Sequence, residues 1–235
     1  MSDRYQALRV KVASLSRERN QKALPKGSHQ ALRQTQRLIE EQTRILPRDD
    51  RGPLACRAGC NFCCHLRVLC TAPEVFAVID WMRAQASAED FKQFRQRVAA
   101  TAETLHGLDP DKVLRTNLAC PNLVDGHCSV YAARPLSCRA YHSLSREACE
   151  TSFNAPENLD LGHPQLTALA KVHEGGLAGL IGALDQAGLD SRQYELVTAM
   201  DEALRDPAAR TRFENGERAF STPLTDIQSS GSRAF

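Results

Sequence analysis

Five of the nine cysteines in this 235-residue chain fall within fifteen residues, "CRAGCNFCCHLRVLC" (56–70). Cys56, Cys60, Cys63 and Cys64 are set at C-x3-C-x2-C-C, and Cys70 follows. Cys120, Cys128 and Cys138 punctuate a second segment, "CPNLVDGHCSVYAARPLSCRAYHS". Thiols grouped this closely suit a soft cation or an iron–sulfur unit held by thiolate. Short spacing lets one loop deliver two or three ligands at small entropic cost. Disulfides fit less well: nine cysteines cannot all pair, and a chain this long does not need them to fold. A core that merely tolerates thiols explains a scatter of cysteines, but not two tight groups with Gly59 and Pro121 beside them.

Two kinds of centre compete. Zinc takes four ligands in a tetrahedron, often through a C-x2-C knuckle. Seven thiolates exceed one such site, and the adjacent Cys63 and Cys64 crowd a single ion. C-x3-C-x2-C is also the spacing with which radical enzymes hold a [4Fe–4S] cluster. The strand–helix alternation of a barrel is missing here, so the spacing supports a cluster without supporting that enzyme class. The expectation is an iron–sulfur cluster of the [4Fe–4S] type, or iron, with Zn2+ as the alternative.

The order C-x3-C-x2-C-C, then T-x-x-E, then CPNL…GHCSVYxxRPxxCRxY resembles the YkgJ-like cysteine-cluster family, described as zinc- or iron-chelating. The resemblance covers residues 56 to 142. It implies that Cys56, Cys60, Cys63, Cys64, Cys120, Cys128 and Cys138 form the metal-binding set. The family includes a flagellin lysine N-methylase linked to an iron–sulfur cluster, which favours iron. The flanking helices differ here, so methyl transfer does not carry over. Cys70 and Cys149 lie outside the pattern and read as packed thiols.

Thiolates on Zn2+ or on an oxidised cluster leave negative charge, which Arg134 and Arg139, flanking Cys138, are placed to offset from a second layer. Tyr131 and Tyr141 read either as a water shield or as ordinary packing. His65, His127 and His142 lie near cysteines but show no H-x3–5-H spacing, and are left out of the site. There is no G-x-G-x-x-G, no phosphate loop and no H-E-x-x-H. Whether the chain is an enzyme, and on what substrate, is not legible.

The elements that must position these residues read as mainly α, a helical domain with an irregular cysteine-rich insert that leaves room for a small hairpin. Residues 1–46 form a helical pair, the first helix ended by Pro25 and the second capped by Ser28 and stopped by Pro47. Residues 47–152 are the metal-binding core. Within it, Thr71 and Glu74 make a capping box ahead of an apolar face of Val75, Val78, Ile79 and Met82. Ser87 starts a helix with Phe91, Phe94 and Val98 inward and Gly107 at its end, and "VDGH" is a tight turn. Residues 153–220 hold two amphipathic helices, 164–189 and 191–206, the first carrying glycines suited to close packing. Residues 221–235 are expected to be a disordered tail.

Net charge is +2, too small to imply nucleic acid. Residues 1–50 carry eleven Lys or Arg against six Asp or Glu, an excess that reads as a solvated helical face. No run approaches the roughly 20 apolar residues of a membrane span. The charged N-terminus offers no secretory signal, so the expectation is a cytoplasmic protein with reduced thiols. The narrow stripes of the N-terminal pair point to packing on the rest of the chain or to homo-oligomer formation.

Overall fold

The computed structural model describes residues 2–221; the tail expected over 221–235 lies, from residue 222 on, outside the described residues. Ten α-helices and two small antiparallel sheets make up the fold among those residues. Mainly α, with an irregular cysteine-rich insert, is the architecture observed.

α1 (Ser2–Ala23) and α2 (Ser28–Arg44) both pack on α8 (Thr167–Gln186). The approach of α1 to α8 depends on missing side chains. A Cβ on Gly175 would lie 2.6 Å from the Arg9 carbonyl, and one on Gly179 2.3 Å from Ser16 Cβ. A buried polar chain fastens the three helices. Asn20 Nδ2 donates to Thr35 Oγ1 (2.8 Å) and to Ser16 Oγ (3.2 Å), and Ser16 Oγ donates to the Gly176 carbonyl (2.8 Å). Each hydroxyl both accepts and donates, while the buried Asn20 Oδ1 is left without a partner. α2 begins at Ser28 with Gly27 in the cap position and no side-chain cap bond, so Ser28 is not the cap that its type suggests.

A second layer is built by α3 (Ala72–Gln85), α4 (Ala88–His106), α9 (Leu196–Arg205) and α10 (Ala209–Glu214). Phe94, Val98, Met200 and Phe213 are buried there, and Phe76 meets Phe213 and Phe220 at ring separations of 5.9 and 5.6 Å. The expected face of α3 is buried at all four positions, and the Ser87 hydroxyl caps α4 from the Asp90 amide at 3.1 Å.

Between these layers lies the irregular segment. β1 (Leu69–Thr71) leads into α3. It is followed after α4 by α5 (Pro110–Val113), the hairpin β2 (Leu123–Val124) and β3 (His127–Cys128), α6 (Leu136–Ala140) and α7 (Arg146–Asn154). The turn of the hairpin has φ of 49° at Asp125 and 76° at Gly126, the two positive values that a two-residue type I′ turn requires. β1 pairs with β4 (Gln193–Glu195), placing Cys70 opposite Tyr194. The helix expected over 191–206 therefore starts only at Leu196, because its first residues are spent on this pairing. No helix of the described residues is long and apolar enough to cross a membrane.

Candidate metal centre

The first cysteine group sits on a loop tightened by a 3-10 turn over Phe62–His65. The Cys60 amide donates to the Arg57 carbonyl (3.0 Å) and the Cys64 amide to the Asn61 carbonyl (2.9 Å). Phe153 of α7 covers the turn, with its ring 5.5 Å from Phe62 and 4.9 Å from His65.

The second group is stitched to the first. The Cys120 amide donates to the Cys64 carbonyl (2.8 Å) and the Leu118 amide to that of His65 (3.4 Å). Arg67 spans the seam: its guanidinium donates to the carbonyls of His65 and Leu118 and lies 3.8 Å from Glu195. Arg97 of α4 donates to the Pro121 carbonyl (3.0 Å). Asn122 donates to the sulfur of Cys120 (3.6 Å), and its own carbonyl accepts from the Ser129 amide (2.8 Å), which steadies the hairpin carrying Cys128.

Cys138 is placed by α6, a short helix with two long-range anchors. Ser137 Oγ donates to the Leu69 carbonyl (2.7 Å). Glu74 is 1% exposed. One of its carboxylate oxygens accepts from the Thr71 amide and hydroxyl, both at 2.7 Å, and the other from the Leu136 amide at 2.7 Å. One buried carboxylate thus caps α3 and holds the start of α6.

The outcome is that Cys56, Cys60, Cys63, Cys64, Cys120, Cys128 and Cys138 all line one cavity of about 590 Å³. Cys70 and Cys149 do not line it. Cys70 is fully buried in the β1–β4 pair, its thiol toward the Tyr194 carbonyl (3.6 Å), and Cys149 lies in α7. Arg134 lines the cavity, its guanidinium 4.1 Å from the centre of the Tyr131 ring. Arg139 is absent from the lining. It donates to the carbonyls of Arg134 and Ala132 and so braces the backbone ahead of Cys138. Tyr131 and Tyr141 both line the cavity, although Tyr131 is 63% exposed and does not seal it.

The histidines separate in the same way. His142 is buried, with Nδ1 bonded to the Ala140 carbonyl (2.8 Å) and Nε2 accepting the Leu166 amide (3.0 Å), so both nitrogens are committed. His65 Nδ1 meets the Asn61 carbonyl (3.1 Å). His127 lines the cavity, with Nδ1 on the Asp125 carbonyl (2.8 Å).

The thiols are unequal. Burial pushes Cys120 up to about 11, and Cys138 well above the ordinary range. Cys63 is lowered to about 7, because the neighbouring Cys64 thiol donates a hydrogen bond that stabilises its thiolate; the same contact raises Cys64. A cation entering the cavity therefore meets one readily ionised sulfur first, and others that must release protons to bind.

The donor set fits a thiolate-bound centre. All candidate ligands are sulfur, and no Asp or Glu lines the cavity. The sulfurs are gathered rather than converged: among the described residues, no three His, Cys, Asp or Glu side chains already surround one ion. Binding must bring sulfurs closer together than they stand. Arg67, Asn122, Ser137 and the Glu74–Leu136 link escape a sequence reading. Only Asn122, inside "CPNL", and Glu74, inside the capping box, carry a local signal.

Residues 55–158 match the family model CxxCxxCC, "Putative zinc- or iron-chelating domain". No curated protein and no solved structure gives a significant match. The match spans all seven cavity cysteines and agrees with the resemblance carried by their spacing. The cysteine-bearing segment is thus similar to the CxxCxxCC family, whose description is a zinc- or iron-chelating domain.

Proposed function

We propose that the two cysteine groups together hold one iron–sulfur cluster, of the [4Fe–4S] type, and that the protein uses it in a redox, sensing or cluster-assisted group-transfer role. The observation that carries this reading is the lining of a single cavity by seven cysteines drawn from two loops and a short helix. That is more thiolate than one zinc ion uses. Cys56, Cys60 and Cys63 supply the close-spaced ligands, and Cys64, Cys120, Cys128 and Cys138 are the candidates for a fourth, since a [4Fe–4S] cluster takes at most four cysteines. A cluster so held supplies one-electron chemistry or an iron available to a substrate. The chain's own contribution is to hold the sulfurs, donate hydrogen bonds to them, as Asn122 does to Cys120, and limit water around them. The residues are expected to work in the cytoplasm, where thiols remain reduced.

The rival is a structural zinc site supporting a partner-binding surface, which the family description allows. Single serine substitutions separate ligands from bystanders. Serine at Cys56, Cys60 or Cys63 lowers metal content of the anaerobically purified protein at least several-fold, whereas serine at Cys70 or Cys149 leaves it unchanged. Equal losses at all five positions, by elemental analysis, would defeat the assignment.

A further inference from the structure

The cavity is lined by more than sulfur. Its volume of about 590 Å³ falls in the range of roughly 300–1,000 Å³ typical of sites for small organic molecules; a water-sized occupant takes about 30 Å³. Beside the cysteines, its wall includes Leu66, Val68, Val130, Leu177 and Leu196. The charged side chains in the lining are Arg57, Arg67 and Arg134, with no carboxylate among them. Arg67 has Glu195 at 3.8 Å. Arg57 and Arg134 form no ion pair among the described residues, and the guanidinium of Arg134 rests on the ring of Tyr131 with its buried Nε unpartnered.

A cavity that combines apolar walls, a guanidinium outside any carboxylate ion pair and an exposed aromatic ring is suited to an organic anion. We infer that the cavity binds a small carboxylate with an apolar tail, its head on Arg134 and its tail against the Leu and Val wall, beside the sulfurs. This deepens the reading of the cavity as a metal centre and rests on it: the carboxylate is the substrate or effector class that the centre meets. Arg134 acts here as a specificity-determining residue. Its placement two residues ahead of Leu136, at the start of α6, ties the pocket to the same anchor that positions Cys138.

The test is calorimetric titration of the metal-loaded full chain, under anaerobic conditions, with 4-methylpentanoate and its uncharged amide. Metal content is measured in the same sample, and the absorption spectrum of the centre is followed. The acid binds at least about tenfold more tightly than the amide, the margin expected of a charge-assisted guanidinium–carboxylate contact, and its addition shifts the spectrum. Arg134→Gln removes the preference, Arg134→Lys restores part of it, and Arg83→Gln, exposed on α3 and outside the lining, leaves it intact. Equal affinities for acid and amide, or no binding of either to loaded protein, would overturn the pocket while leaving the metal reading in place. A protein that takes up no iron or zinc under these conditions, yet still prefers the acid, would keep the pocket and overturn the metal reading.

Discussion

Replacing Glu74 with leucine lowers the folding stability by at least about 2 kcal/mol and reduces metal content, although no sulfur is altered. The side chain is buried and accepts three hydrogen bonds, two from Thr71 and one from the Leu136 amide 62 residues away. Leucine fills the space but leaves the amides of Thr71 and Leu136 unpaired in the core, at about 1–3 kcal/mol each. α6 then loses its anchor, and Cys138 with it. A urea titration reads the stability and elemental analysis the metal. Unchanged values for both would show that the link is incidental. Burial also raises the pKa of Glu74, against the opposing hydrogen bonds from Thr71 and Leu136. A carboxyl that ionises less readily folded than unfolded contributes stability below its unfolded pKa, and that contribution is lost as pH rises through its folded pKa. The stability of the native protein relative to Glu74→Gln accordingly falls as pH rises above the ordinary carboxylate range.

Removing the metal loosens both cysteine loops and spares the helices around them. The loops meet through a few backbone bonds and the Arg67 contacts, while most of the apolar core is supplied by the helices around them, with Val130 and Leu136 joining it from the second cysteine segment. Bound metal supplies folding free energy, on the order of 10 kcal/mol in small zinc domains. Even occupancy at a hundredfold excess over Kd is worth about 2.7 kcal/mol to whatever must be ordered for binding. Amide exchange over residues 56–66 and 118–142 is therefore expected to rise about a hundredfold on chelation, with α8 and α4 unchanged. Equal protection of both loops in loaded and metal-free protein would sink the idea that they share a centre.

Much of this arrangement was legible from local chemistry. Thr71 and Glu74 announced the start of α3 and Asp125–Gly126 the hairpin, while the glycines of α8 announced close packing without naming α1 as the partner. Each of those signals lies within a few residues of what it specifies. The pairing of β1 with β4 was not legible: three-residue strands 124 positions apart carry no periodicity, and the register is set by burial of Cys70 and Tyr194. The second role of Glu74, at Leu136, was hidden for the same reason. Arg67 reads as one more surface arginine until folding places it 5% exposed across the seam of the two loops. Arg139 shows the converse. Adjacency to Cys138 suggested a charge facing the centre, whereas its guanidinium is spent on backbone carbonyls outside the cavity lining.

The identity of the centre is tested most directly by purifying the full chain without oxygen and measuring iron, zinc, inorganic sulfide and the absorption spectrum together. Aerobic material is a poor guide, because zinc outranks iron(II) in affinity and fills vacant thiolate sites during overexpression. The anaerobic protein is expected to be brown, to contain iron and sulfide, and to bleach in air. A colourless sample with stoichiometric zinc and no sulfide, even after cluster reconstitution, would contradict the account.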